Sequence, residues 1–158
     1  MIEDKIKELG FELPEAPKPV AAYVPVLKVD NLIFTAGQIP FVKGELKYKG
    51  KLGKDLPAGQ AGLTIDEGKK AAEVCALNCL AAVRTIIKDL DEIEHIVKLT
   101  VFVNCIDGFT NQPQVANGAS ELLEKIFGGK GKHARSAVGV SGLPLDAAVE
   151  IEMIVKVK

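Results

Sequence analysis
From Val149 to Lys158 the chain alternates, with Val149, Ile151, Met153, Val155 and Val157 on one side and Glu150, Glu152, Ile154, Lys156 and Lys158 on the other. A period of two predicts a strand with one face in a core. Other β-rich runs predict strands over Ala21–Val29, Asn31–Ala36, Ile96–Val103 and Ala134–Val140. The first two flank a turn at Asp30-Asn31, and Pro25 assigns the first to a sheet edge because proline offers no N–H to a ladder. Between Ala71 and Ile86 the period changes to three and four, with Ala71, Val74, Cys75, Asn78, Cys79, Ala82, Val83 and Ile86 on one face. Thr64-Ile65-Asp66-Glu67 has the form of a capping box, so a helix is expected from there to about Asp89. A second helix is expected from about Pro113 to Phe127, stopped by Gly128-Gly129. A short amphipathic one begins at Ile2, with Ile6, Leu9 and Phe11 apolar, and ends at Gly10.

Prolines at 14, 17 and 19 turn the next stretch into an extended connector, so residues 1–19 read as an N-terminal extension. The stretch 43–63 lacks periodicity and reads as a long Lys/Gly loop with at most one short strand near Leu46–Tyr48. The element order predicts an α+β fold over a single domain, 1–158. Its mixed sheet carries two main helices on one face, plus the short N-terminal helix.

A length of 158 residues, 47% hydrophobic and 26% charged, suits one globular domain. Aromatics are only 5% and tryptophan is absent, so the core is expected to be Val, Ile, Ala and Leu, with few platforms for stacking bases. Twenty Lys and Arg against 21 Asp and Glu leave a net charge of −1 and no basic field for a polyanion. Nucleic acid is therefore a poor partner, despite the lysines at 43, 47, 49, 51 and 54 and the segment Lys130-Gly131-Lys132-His133. No apolar stretch approaches the roughly 18 residues of a membrane span. With Met1 leading into a charged run and three cysteines, an odd number, a soluble cytoplasmic protein is expected. Cys75 and Cys79 share a helix face, but no third Cys or His stands at zinc spacing; they read as core residues, and no metal or cofactor is expected.

The even side of the final strand should be ordinary surface, yet Ile154 interrupts it and Ala137 and Gly139 stand in the preceding strand. A face only partly polar predicts burial against another subunit, hence a homo-oligomer. The last two strands are expected to form a hairpin around Gly142–Asp146. A turn centred near Pro144 would set Arg135 opposite about residue 153, with Glu150 or Glu152 nearby. One reading is a cross-strand ion pair of roughly 0.2 to 1 kcal/mol. The other is a site in which the planar fork of Arg135 holds a carboxylate while a glutamate handles a proton or a water.

Four segments in this order resemble the Rid family of reactive-intermediate deaminases, also called the YjgF or L-PSP type, in its longer subgroup. They are Ala36-Gly37-Gln38-Ile39-Pro40, Val97 to Val103, Ala134-Arg135-Ser136-Ala137-Val138, and Leu143-Pro144 followed by Val149-Glu150-Ile151-Glu152. The resemblance covers about residues 20–158. It implies a chorismate-mutase-like fold and a homotrimer with clefts at the subunit boundaries. It also implies that Arg135 binds the substrate carboxylate and that Glu150, or failing it Glu152, positions a water. Gly37 would let backbone approach the ligand, and Tyr23, Asn117 and Ala137 would complete the substrate contacts. Ala137 stands where the family often has Cys, Ala36 where it commonly has a hydroxyl, and Ala21-Ala22 where Gly-Pro is usual before the tyrosine.

The activity so implied is cofactor-free hydrolysis of enamines or imines such as 2-aminoacrylate to a 2-oxo acid and ammonia. A non-catalytic trimer that binds small carboxylates is the alternative. An endoribonuclease or translation inhibitor is a third reading, weakened because His95 and His133 are the only histidines and suggest no acid/base pair.

Overall fold
The computed structural model describes residues 1–16, 18, 22–53 and 62–158. Five strands form one sheet: β1 (Val26–Val29), β2 (Leu32–Thr35), β5 (Ile93–Asn104), β6 (Ala134–Val140) and β7 (Val149–Val157), in the order β1-β2-β7-β5-β6. Between β2 and β5 in the chain, β3 (Phe41–Val42) and β4 (Glu45–Leu46) make a small separate ribbon. The strongest alternation in the sequence belongs to the central strand. β7 lies antiparallel to both β2 and β5, and its five odd residues are buried.

The expected hairpin of the last two strands does not form. β6 pairs with β5, in parallel, and β5 separates it from β7. A parallel pair needs a crossover longer than a turn, and helix α3 (Gln112–Phe127) supplies it between β5 and β6. The expected edge position of the first strand holds, although it begins at Val26 rather than Ala21. Ala21, Pro17, Pro19 and the stretch 54–61 of the Lys/Gly loop lie outside the described residues.

Strand β5 starts at Ile93, three residues before the expected Ile96, and takes in the exposed His95. Its register with β7 slips between Ile93 and His95 and again between Ile96 and Lys98. Two bulges therefore space the buried Ile93, Ile96 and Leu99 by three before Val101 and Val103 resume a period of two.

Helices α2 (Ile65–Arg84) and α3 cover one face of the sheet, and α1 (Ile2–Glu8) packs at their side with Ile6 fully buried. The capping box is present: Glu67 N–H donates to Thr64 Oγ1 at 3.2 Å, and Thr64 N–H to Glu67 Oε2 at 2.7 Å. α2 ends short of the expected Asp89, where Thr85 Oγ1 donates to the Ala82 carbonyl and Arg84 Nη1 to that of Ile87. Gly118 lets α3 lie directly on α2, because a Cβ there would strike the Lys69 carbonyl. Cys75 and Cys79 are buried against β7, their thiols donating to the carbonyls of Val149 and Ile151; burial pushes both upward, Cys79 to about 12.

The described start of the Lys/Gly stretch, residues 43–53, is tied to the body at its end. Leu52 is fully buried, its N–H donates to the Asn104 carbonyl at 2.8 Å, and its carbonyl accepts from Ile106 N–H at 3.0 Å. Lys51 Nζ bonds Asn104 Oδ1 and the Ser141 carbonyl.

No helix among the described residues is long and apolar enough to cross a membrane. The sheet face opposite the helices carries a row Leu27–Phe34–Ile154–Lys98 across four strands. Leu27, Val29, Phe34 and Val138 are exposed on it, a broad apolar patch for a single chain.

Candidate functional site
Register decides which way each site residue faces, since paired residues share a side of the sheet. Arg135 pairs with Leu99, whose side chain is buried beneath the helices. Arg135 is therefore on the helix side, and because β6 is an edge strand its guanidinium lies beside α3. Nη1 donates to Asn117 Oδ1 at 2.8 Å and to Ser120 Oγ at 3.2 Å. Arg135 has no ion-pair partner among the described residues. Ala137 is on the same side, paired with Val101 and packed on the core.

Glu150 pairs with Phe102 on the open face. The segment after β2 lies along β7 through Gln38 N–H to the Ile151 carbonyl (2.8 Å) and Ile151 N–H to the Gln38 carbonyl (3.0 Å). That clamp sets Gly37 against Glu150, and the carboxylate occupies the space a Cβ on Gly37 would need. Glu150 is half-buried, and its carboxyl is raised above the usual range, first by burial and then by the charge of Glu152. Glu152 is exposed, level with Thr100. Of the two glutamates, Glu150 alone sits in a built environment.

Arg135 and Glu150 do not meet within one chain. Leu99 pairs with both Arg135 and Met153, so the expected level of Arg135 near residue 153 is right. The expected adjacency is wrong, because β5 stands between. Two strand spacings separate β6 from β7, about 9.5 Å, and the two side chains leave opposite faces. The strand–helix–strand order through α3 was the available signal for this crossover; the short connection after β6 suggested the hairpin instead.

Tyr23 precedes β1 at the sheet edge farthest from β6 and is 59% exposed. Asn117, expected as a substrate contact, lies in the second turn of α3 and accepts a hydrogen bond from Arg135. Sequence reasoning missed Ser120 and the role of His133. His133 Nδ1 lies 2.6 Å from the Gly131 carbonyl, which can only accept, so Nδ1 carries the ring proton and Nε2 accepts from the Ser120 hydroxyl at 2.9 Å. Both are visible as spacings: 117 and 120 share a helix face, and 133 and 135 alternate along an extended chain. A cavity of about 660 Å³ between Thr64–Asp66 and Ile106–Asn111 contains none of these residues.

A family model described as YjgF/chorismate mutase-like, putative endoribonuclease, matches residues 3–156. Protein TCP17 of Trypanosoma cruzi is 40% identical over 96% of this chain and 91% of its own. Among solved structures, protein Atu1372 of unknown function from Agrobacterium tumefaciens is 40% identical with a TM-score of 0.88, covering 99% of this chain and 92% of that one. A putative endoribonuclease from Shewanella oneidensis MR-1 is 29% identical with a TM-score of 0.89, covering 99% of both.

Proposed function
Because the chain belongs to the YjgF/chorismate mutase-like (Rid) family, we propose that it hydrolyses reactive enamine or imine intermediates of the 2-aminoacrylate class to a 2-oxo acid and ammonia. The clefts are completed by two copies of the chain within a cytoplasmic homotrimer. One observation carries the reading: a half-buried arginine and a half-buried glutamate, neither with an ion-pair partner among the described residues, leave the same sheet on opposite faces. Half-buried charges call for partners. A second copy packed on the apolar open face can bring its Arg135 edge toward Glu150, and a small carboxylate substrate then supplies the anion.

In such a cleft the guanidinium fork holds the carboxylate, leaving the imine carbon near Glu150. The enamine tautomerises to the imine. Glu150 takes a proton from water as the oxygen adds to carbon and passes it to nitrogen; it then takes the hydroxyl proton of the resulting carbinolamine and passes that to nitrogen too, as the C–N bond breaks, the carbonyl forms and ammonia leaves. A carboxyl raised by burial is a better base for this step than an exposed one. Gly37 keeps the carboxylate in place, and Ala137 leaves room beside the anchor.

An RNA-cleaving reading lacks a free acid/base pair: both ring nitrogens of His133 are engaged, and His95 is exposed on the open face. The alanines at 36 and 137 favour, as a second reading, carboxylate binding without turnover.

The test generates 2-aminoacrylate with a lyase and follows pyruvate release. Arg135→Ala and Glu150→Gln are each expected to lose about 10²-fold or more. Co-refolded one to one, the two inactive variants should recover about a quarter of wild-type activity, since a symmetric ring then contains intact Arg–Glu clefts. No recovery would place both groups in one chain and overturn the shared cleft. Pyruvate binding without acceleration would favour the second reading.

A further inference from the structure
We propose that Ser120 and His133 are positioning residues that fix the fork of Arg135 for its carboxylate; the inference rests on the reading of Arg135 as the anchor. A guanidinium has five N–H donors. The two on Nη1 go to Asn117 Oδ1 and Ser120 Oγ, both neutral acceptors on α3. The Nε and Nη2 edge remains for a bidentate anion.

The Ser120 contact works only if its hydroxyl proton points away from Arg135. His133 enforces that direction. Its Nδ1–H is spent on the Gly131 carbonyl, so Nε2 presents a lone pair and takes the Ser120 proton. The donors then run one way, from Arg135 to Ser120 to His133 to Gly131. Gly131 is itself seated in the turn that closes α3, where a Cβ would strike the Leu123 carbonyl, so the last acceptor is fixed by packing. Burial, helped by the positive charge of Arg135 and opposed by the Gly131 hydrogen bond, holds His133 below the usual imidazole range, which suits the neutral form the chain requires. A guanidinium held this way loses less freedom when a carboxylate docks.

The contact to Arg135 is made before and during reaction alike, so its loss should fall on binding. Calorimetry with pyruvate as the probe should show Kd raised about tenfold in Ser120→Ala and His133→Ala. With 2-aminoacrylate, KM should rise to a similar extent and kcat stay within about twofold. His133→Gln, whose amide oxygen can accept from Ser120, should restore most of the affinity. Arginine side-chain ¹⁵N spectra should show hindered rotation of the Arg135 Nη1 group in the wild type and its loss in Ser120→Ala. Melting temperatures identify any variant that fails to fold, and Ser120→Ala alone then carries the test.

Affinity unchanged in Ser120→Ala, or a His133→Gln variant no better than His133→Ala, overturns the positioning role. If wild type binds pyruvate and Arg135→Ala does not, that failure leaves the anchor standing. If wild type and Arg135→Ala bind alike, or neither binds, the anchor falls and this inference with it.

Discussion
Arg135 and Glu150 differ in how much of their surroundings one chain supplies. Around Arg135, two α3 side chains occupy one terminal nitrogen, and a serine–histidine pair sets the direction of the bonds. Around Glu150 the chain supplies a glycine in close approach, a second carboxylate nearby and no cation among the described residues. The first half can be preorganised in a lone chain. The second is held at a cost in desolvation and like-charge repulsion that a bound partner and substrate would relieve. In the proposed site, placing the two on opposite faces would make activity conditional on assembly.

The largest expected effect separates these halves. Phe34→Glu with Ile154→Glu puts charges into the apolar row of the open face and should give a folded monomer without deaminase activity. Light scattering reads the mass, circular dichroism the fold, and the Arg135 side-chain spectrum should stay as in the wild type. An active monomer would end the argument that two copies share the site.

Next in size is Gly37→Ala, which acts on the Glu150 half alone. Its methyl group needs the space of the Glu150 carboxylate, so the carboxylate must move by about an ångström, and turnover should fall by about 10²-fold. Pyruvate affinity should change much less than turnover; equal losses in both would show that the two halves are not separable.

The smallest effect is on titration. Glu152→Gln removes the like charge that helps to raise Glu150, so the acid limb of the kcat/KM profile should move to lower pH. A carboxyl raised on folding costs stability as pH climbs from its unfolded value through the folded one, because the native state holds the proton longer. Glu152→Gln should therefore also flatten the loss of stability over that range, read as melting temperature against pH. An unmoved acid limb would mean that another group controls it.

Much of the fold was legible because it is written in local periods. The alternation of Val149 to Val157 marks a strand buried on one side, Thr64 and Glu67 mark a helix start, and Gly128 with φ of +62° marks a helix end. Leu52 escaped because a lone apolar residue among Lys and Gly has no periodic neighbours to announce its burial. The bulges of β5 escaped because a spacing of three at Ile93, Ile96 and Leu99 breaks the strand period without making a helix. In the site, Arg135, Glu150 and Gly37 stood out by motif. Asn117 carried a different expectation, and Ser120 and His133 joined it only through contacts between α3 and the sheet edge.

By itself the chain's order of residues determined its elements, their buried sides and the residue types able to hold a carboxylate and move a proton, since all of these follow from local periodicity and side-chain chemistry. Which strands are neighbours was decided only in three dimensions. Pairing depends on where the α3 crossover delivers β6 and on β7 filling the gap between β2 and β5, and both are set by burying the helix faces on one common sheet. That choice moved Arg135 and Glu150 from expected neighbours to opposite faces, so that in a cleft between subunits, of the kind the resemblance implies, the two groups would come from different chains.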